Sequence, residues 1–392
     1  MAPPSRMPSA GVSKLTELPM QHQLVNSPEQ LAALVADHAH CDAVMIDTEF
    51  MRRDTFFPQA ALFQLCFPDS PDIAWLVDPT IMTDFSALVT LLQDESTEKV
   101  IHSASEDLEV FQTFLGCQPR PLVDTQKAAA YAGYGFGMGY RRLVEEVTGL
   151  ELAKDETRSN WLKRPLTPSQ LDYAAADVVP LLRVYGVLRE RLESLGRLEW
   201  VLEDGAMATA SASGAAPPTY LKMKSAWKLK PRQLAVLAAV CEWRENRARS
   251  VDKPRSWILS DPVCLALAQL SPRSQAELWK VPDMPAAVVH KQGDVLLERV
   301  AQALNLAEQD LPPALPRPLD ARQRGMLKQL KSAVAERAAA LEVEPEALLM
   351  SRDYELLVRR GCGEAVATPG HWSGWRGELL IQPLLELAGE EQ

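Results

Sequence analysis

Hydrophobic and polar positions change rhythm along the chain. Residues 43–50, 60–67, 73–78 and 99–102 are short apolar runs, and each reads as a strand. From residue 104 the apolar spacing lengthens to three and four, which predicts helices over 104–115, 124–132, 140–148 and 168–194. In the last of these, Leu171, Ala174, Val178, Leu181, Tyr185, Leu188 and Leu192 form one apolar stripe. Strands followed by alternating helices and strands predict an α/β domain with a mixed sheet. Beyond residue 220 the pattern is helical throughout.

Two interruptions divide the chain. Residues 204–219, DGAMATASASGAAPPT, are small and polar, and residues 308–318, EQDLPPALPRP, are rich in proline. Neither stretch offers much surface to bury, so both read as linkers. The expected plan is a disordered lead over 1–21, a first domain over 22–203, and helical domains over 220–307 and 319–390. The two helical domains resemble each other. RSVDKPRSWILSDPVCLALAQL (249–270) aligns with ALEVEPEALLMSRDYELLVRRG (340–361), and a long helix precedes each. A duplicated module follows.

Composition narrows the class. No run approaches the ~18 apolar residues of a membrane span, and the N-terminus lacks the apolar core of a signal peptide. The six cysteines have no CxxC spacing, which speaks against a zinc site or a disulfide framework and for a reduced, cytoplasmic protein. Net charge is −11, yet residues 222–255 hold ten basic and three acidic side chains. That local +7 reads as a phosphate-facing patch or as a solvated helix face. Trp227, Trp243 and Trp257 are interleaved with it, as core residues or as contacts.

The chemistry is carried by carboxylates. In VMIDTEF (44–50), Asp47 and Glu49 fall on one face of a strand that otherwise reads as buried. Two such acids repel unless a cation lies between them, and oxygen-only donors suit Mg²⁺ or Mn²⁺. A strand face open to solvent is the competing reading. In IHSASEDLEVF (101–111), Ser103 and Glu106 fit a capping box, which puts Asp107 in the first turn of a helix. In LDYAAADVVPLL (171–182), Tyr173 and Asp177 stand four apart on one helix face. Pro180 frees the Ala176 carbonyl there and should bend the helix beside Asp177.

Together these segments resemble the three motifs of the DEDD 3′–5′ exonucleases. The tyrosine four residues before the last aspartate resembles their tyrosine subclass. The longer stretches DTEFMRRDTFFPQAALFQL, IHSASEDLEVF and KDETRSNWLKRPLTPSQLDYAAADV resemble the ribonuclease D family, and the helical modules resemble the HRDC domains that follow its nuclease. The resemblance runs from about residue 22 onward. It implies a ribonuclease H-like mixed-sheet exonuclease domain followed by two all-α HRDC-like domains.

It also implies two divalent cations, Mg²⁺ or Mn²⁺, about 4 Å apart. Asp47 would bridge them, Glu49 and Asp177 would complete the first site, and Asp107 would support the second. Tyr173 would hydrogen-bond the attacking water. Phe50, Met51, Phe56, Gln64 and His102 are the expected substrate contacts, with Phe57 a second ring for base stacking. Core packing is the alternative for the two phenylalanines, and a structural role the alternative for His102. Trp161 and Arg164 precede the catalytic helix, and Arg164 is a candidate phosphate contact. The implied partners are RNA 3′ ends, tRNA precursors among them, with a monomeric protein and no membrane. A 3′–5′ DNA exonuclease of the helicase-associated type is the competing activity, and an RNA-binding scaffold with an inactive nuclease fold is the reading from another class.

Overall fold

The computed structural model describes residues 20–152, 159–214 and 217–389. The expected lead over 1–21 lies outside the described residues except for Met20 and Gln21. The chain divides into two compact units. One comprises the residues up to Met51, Gln59–Gly214 and those from Asp320 onward; the other comprises Arg52–Pro58 and Ala215–Leu319.

The first unit opens with β1 (Gln21–Val25), α1 (Pro28–Asp37), β2 (Ala43–Met51), β3 (Gln59–Cys66), β4 (Ile73–Val77), α2 (Ser86–Gln93) and β5 (Glu98–Ile101). It continues with α3 (Ser105–Val110), a π turn over 111–115, β6 (Leu122–Asp124), α4 (Thr125–Tyr131), α5 (Tyr140–Thr148), α6 (Pro168–Leu195) and α7 (Leu198–Ser213). The six strands form one sheet in the order β1-β4-β3-β2-β5-β6. β2 and β3 are antiparallel, as are β3 and β4, and the remaining neighbours are parallel. This is the mixed sheet expected. The strands β1 and β6 are additions, since neither QHQLV nor LVD is long enough to show a period.

Alternation along β2 sorts its side chains. Val44 and Ile46 enter an apolar layer with Phe63 and Leu65 of β3, Leu31 and Leu34 of α1, and Leu88, Leu91 and Leu92 of α2. Met45, Asp47 and Glu49 face the other way. On that side α6 lies across β1 to β4. Asp47 pairs with Gln64 across the β2–β3 ladder, and the register shifts between Glu49 and Phe50.

Two local expectations change. Ser103 does not cap α3, because its backbone is left-handed at φ 59°. The Asp124 carboxylate does that work, accepting from Ser103 N at 2.9 Å and Ala104 N at 3.2 Å. A capping box does form at the start of α6, between Thr167 and Gln170. Finally, residues 204–213 are no linker but the second half of α7. Alanine favours helix, and the small residues permit close packing: a Cβ on Gly205 would sit 2.0 Å from the Leu122 carbonyl oxygen.

In the second unit, α8 (Pro231–Ser250), α9 (Arg255–Ile258), α10 (Asp261–Leu270), α11 (Gln275–Leu278) and α12 (Ala286–Leu304) enclose their own core around Leu234, Leu237, Val263, Leu267, Leu296 and Val300. Much of the expected basic patch is already engaged. Arg244 pairs with Asp261, Arg249 and Arg255 pair with Glu245, and Arg232 pairs with Glu308. Trp243 is buried in the core, whereas Trp257 is exposed.

The chain then returns to the first unit with α13 (Ala321–Ala340), α14 (Pro345–Leu348), α15 (Ser351–Gly361), α16 (Gly374–Arg376) and α17 (Gln382–Ala388). The order long helix, one-turn helix, medium helix repeats that of α8, α9 and α10, as the internal similarity predicts. Arg376 is buried, pairs with Asp204 of α7 and donates to the Tyr131 hydroxyl at 2.6 Å. The Trp375 ring stacks on Trp200 at 4.2 Å.

Candidate active site

Three carboxylates converge from two elements. Asp47 and Glu49 come from β2 and Asp177 from α6, and each offers an oxygen that lies within 4.8 Å of the others. Asp107, in the first turn of α3, is buried and accepts from Thr48 Oγ1 at 2.5 Å. Thr48 stands between the two β2 acids, so one short segment supplies two carboxylates and positions a third.

The electrostatics of this cluster are unfavourable without a cation. Burial, then the charges of Asp177 and Asp107, push Asp47 far above the usual carboxylate range. Burial, with Asp47 and Asp107 nearby, raises Glu49 to about 9. Burial also dominates at Asp107, which is pushed up to about 7 despite the hydrogen bond from Thr48. Each shift reports a charge that burial disfavours and that positive charge would restore. All donors are oxygens, the set that hard divalent cations select.

The α6 helix supplies the rest. Tyr173 lies one turn before Asp177, with its ring 5.9 Å from that of buried Trp161. The Ala176 carbonyl, whose helical partner Pro180 removes, accepts from the Tyr140 hydroxyl at 3.0 Å. Tyr140 also lies close enough to Asp177 and Asp47 that, after burial, their charges push its phenol far up.

Of the expected substrate contacts, Gln64 is fully buried directly opposite Asp47, and neither amide atom has a hydrogen-bond partner among the described residues. His102 Nδ1 lies 3.0 Å from Thr125 Oγ1, while its buried Nε2 has no partner among the described residues. Burial pushes this imidazole down. Phe50 and Met51 are half-buried at the end of β2, with Phe50 packed partly against the apolar layer.

Phe56 is corrected: it is 4% exposed, and its ring is covered by Arg249 at 4.7 Å and Arg255 at 4.6 Å. Phe57 packs edge-on against it at 4.8 Å. The Phe56 ring is therefore a packing element of the second unit. Arg164 is corrected too. It pairs with Asp78 and donates to the carbonyls of Ala61 and Trp161, both at 2.6 Å, which makes it a brace between β3 and the loop before α6. The upstream residues of that loop, 153–158, lie outside the described residues.

Sequence reasoning missed Thr48, Asp124 and Tyr140. Thr48 and Asp124 carried readable signals: a polar residue between two acids, and an aspartate just ahead of a helical run. Tyr140 carried none, since its partner is a backbone carbonyl on another helix.

A family model described as 3′–5′ exonuclease matches residues 22–193, and the HRDC domain model matches residues 233–300. Ribonuclease D of Pseudomonas paraeruginosa is 42% identical over 87% of this chain and 90% of its own length. The chain belongs to the ribonuclease D family. Ribonuclease D of Escherichia coli is 33% identical over 95% of this chain and 99% of its own length. The crystal structure of the Escherichia coli enzyme, described as an exoribonuclease involved in structured RNA processing, superposes with a TM-score of 0.86 at 32% identity, covering 94% and 98% of the two chains. Ribonuclease D is a 3′–5′ exoribonuclease, a hydrolase, and its family implies divalent metal ions. The cluster of Asp47, Glu49 and Asp177 suits them. No helix among the described residues is long and apolar enough to cross a membrane.

Proposed function

We propose that this protein removes nucleotides one at a time from RNA 3′ ends and releases nucleoside 5′-monophosphates, with tRNA precursors and other small stable RNAs as substrates. The observation that carries this reading is the convergence of Asp47, Glu49 and Asp177, within 4.8 Å, at a buried site where Asp47 and Glu49 are held well above their ordinary pKa.

Two cations, Mg²⁺ or Mn²⁺, fit this donor set. Asp47, Glu49 and Asp177 would hold one, and Asp47 with Asp107 the other. When bound, such ions lower the pKa of water and stabilise charge on the departing oxygen. The chain's own part is orientation. Tyr173 hydrogen-bonds the attacking water and aims it at phosphorus. A free tyrosine titrates near about 10, so the phenol works by position and not as a base. The water oxygen bonds to phosphorus, the bond to the 3′ oxygen breaks, the water gives its proton to solvent and the 3′ oxygen takes one up. Gln64, with an amide buried opposite Asp47, helps to hold that acid or the terminal nucleotide in place. Phe50, Met51 and His102 complete the nucleotide pocket.

The test is a 5′-labelled tRNA precursor with a 3′ extension, incubated in Mg²⁺ with and without EDTA, beside a DNA oligonucleotide of matched sequence. A ladder of products each one nucleotide shorter, formed from RNA and abolished by EDTA, is expected. Shortening of the DNA alone, or RNA cleavage that persists in EDTA, overturns the proposal.

A further inference from the structure

A second cluster of metal-binding side chains lies at the other end of β2. The stretch DHAHCD (37–42) places His38, His40 and Cys41 in the turn between α1 and β2. The turn is tight: Cys41 N donates to the His38 carbonyl at 3.0 Å. The Cys41 carbonyl accepts from Thr97 Oγ1 at 3.0 Å, which holds the turn against the approach to β5. Asp69 arrives from the β3–β4 connection. The β2–β3 register explains why, since pairing of Met45 with Cys66, continued outward, sets this turn beside residues 69 and 70.

The donors are close. His38 Nδ1 is 2.7 Å from Asp69 Oδ1, and His40 Nε2 is 3.1 Å from Asp69 Oδ2. His38, Cys41 and Asp69 each offer a ligand atom within 4.8 Å of the other two. Tetrahedral zinc, with bonds of about 2.0–2.3 Å, spaces its donors by roughly 3.3–3.8 Å. To meet that spacing the His38–Asp69 and His40–Asp69 pairs open by a few tenths of an ångström, and the longer donor distances close by up to about 1.5 Å. Cys41 is buried, and the His38 ring stacks on Phe67 at 4.2 Å with an interplanar angle of 7°, so two donors are already fixed in direction. The His40 side chain is 68% exposed and already meets Asp69, so closing the shell takes only a turn of its imidazole toward Cys41.

We propose that His38, His40, Cys41 and Asp69 form a structural zinc site that staples the end of α1, the start of β2 and the β3–β4 turn. Two imidazoles, a thiolate and a carboxylate are a borderline-soft set that favours zinc over Mg²⁺. Cys41 stands six positions before Asp47 along extended chain, roughly 20 Å, so the site is independent of the acids. The cysteine spacing gave no hint of it because the fourth donor is remote in sequence and the histidines, not a second cysteine, complete the set.

The experiment uses the full chain, stripped of transition metals and kept in excess Mg²⁺ to occupy the acid cluster. Titration with Co²⁺ should give a thiolate-to-cobalt charge-transfer band and the intense visible bands of tetrahedral coordination. Cys41→Ser should abolish the charge-transfer band. Zn²⁺ should bind at one equivalent and raise Tm, and His40→Ala, a change at an exposed side chain, should weaken that binding at least about ten-fold. No thiolate band in the unaltered protein, a band that survives Cys41→Ser, or a Zn²⁺ affinity unmoved by His40→Ala each overturns the proposal.

Discussion

The Tyr140 hydroxyl donates to the Ala176 carbonyl at 3.0 Å, filling the vacancy that Pro180 opens in α6 one residue before Asp177. The carbonyl beside Asp177 is thus held from outside its own helix. Tyr140→Phe leaves that carbonyl without its partner, at a cost of about 1–2 kcal/mol. Asp177 then loses its fixed direction, and the single-turnover rate should fall about ten-fold. Thermal unfolding and rapid-quench assays measure the two effects, and an unchanged rate would show that Asp177 keeps its direction without Tyr140.

Tyr173→Phe should slow the chemical step by about 100-fold, as expected for loss of a group that positions the nucleophile. Metal affinity, read by calorimetry, should stay within about two-fold, because the carboxylates are untouched. Equal losses in affinity and rate would make Tyr173 a support for Asp177.

Gln64→Leu separates stability from function. Both amide atoms of Gln64 are buried without a partner among the described residues, so a leucine of similar volume should leave the protein as stable or up to about 1 kcal/mol more stable. Activity should nevertheless drop, because the amide faces Asp47. A variant that is destabilised yet fully active would contradict this role.

The acids also set a pH dependence in the cation-free protein. Glu49 rises from its ordinary 4.5 to about 9, and Asp107 from 3.8 to about 7. Between the ordinary and raised values the folded state binds more protons than the unfolded state, so stability falls as pH rises through that window. In EDTA, Tm should therefore decline from about pH 5 to about pH 9, and added Mg²⁺ should stabilise most at the alkaline end. A Tm that climbs over this range in EDTA would reverse the sign and refute the burial of uncompensated charge.

Gly205→Val tests the packing of α7. Its Cβ would fall 2.0 Å from the Leu122 carbonyl oxygen, and moving the helix off β6 should cost about 3 kcal/mol. A neutral effect would restore residues 204–213 to the status of a linker.

The parts legible in the sequence are those whose cause is local. Alternation placed Asp47 and Glu49 on one face, and helical spacing joined Tyr173 to Asp177. The duplication of the helical module reappears as α8–α10 and α13–α15. What escaped depends on contacts between remote segments. The second half of α7 looked like a linker because alanine, glycine and serine show no apolar stripe, yet their small size is what lets the helix approach Leu122. Phe56 looked like a stacking platform because nothing local to it announces Arg249 and Arg255, some 200 residues away. Arg164 was free in the sequence and is bound to Asp78 in the fold.

We propose that Asp47 and its neighbouring carboxylates form the divalent-cation centre that hydrolyses RNA. Asp47→Asn removes one charge without removing volume. In saturating Mg²⁺, with 5′-labelled RNA and enzyme in excess, the variant should bind RNA with near-normal affinity while its single-turnover rate falls by about 1,000-fold or more. Near-normal turnover by a folded Asp47→Asn protein would contradict the account.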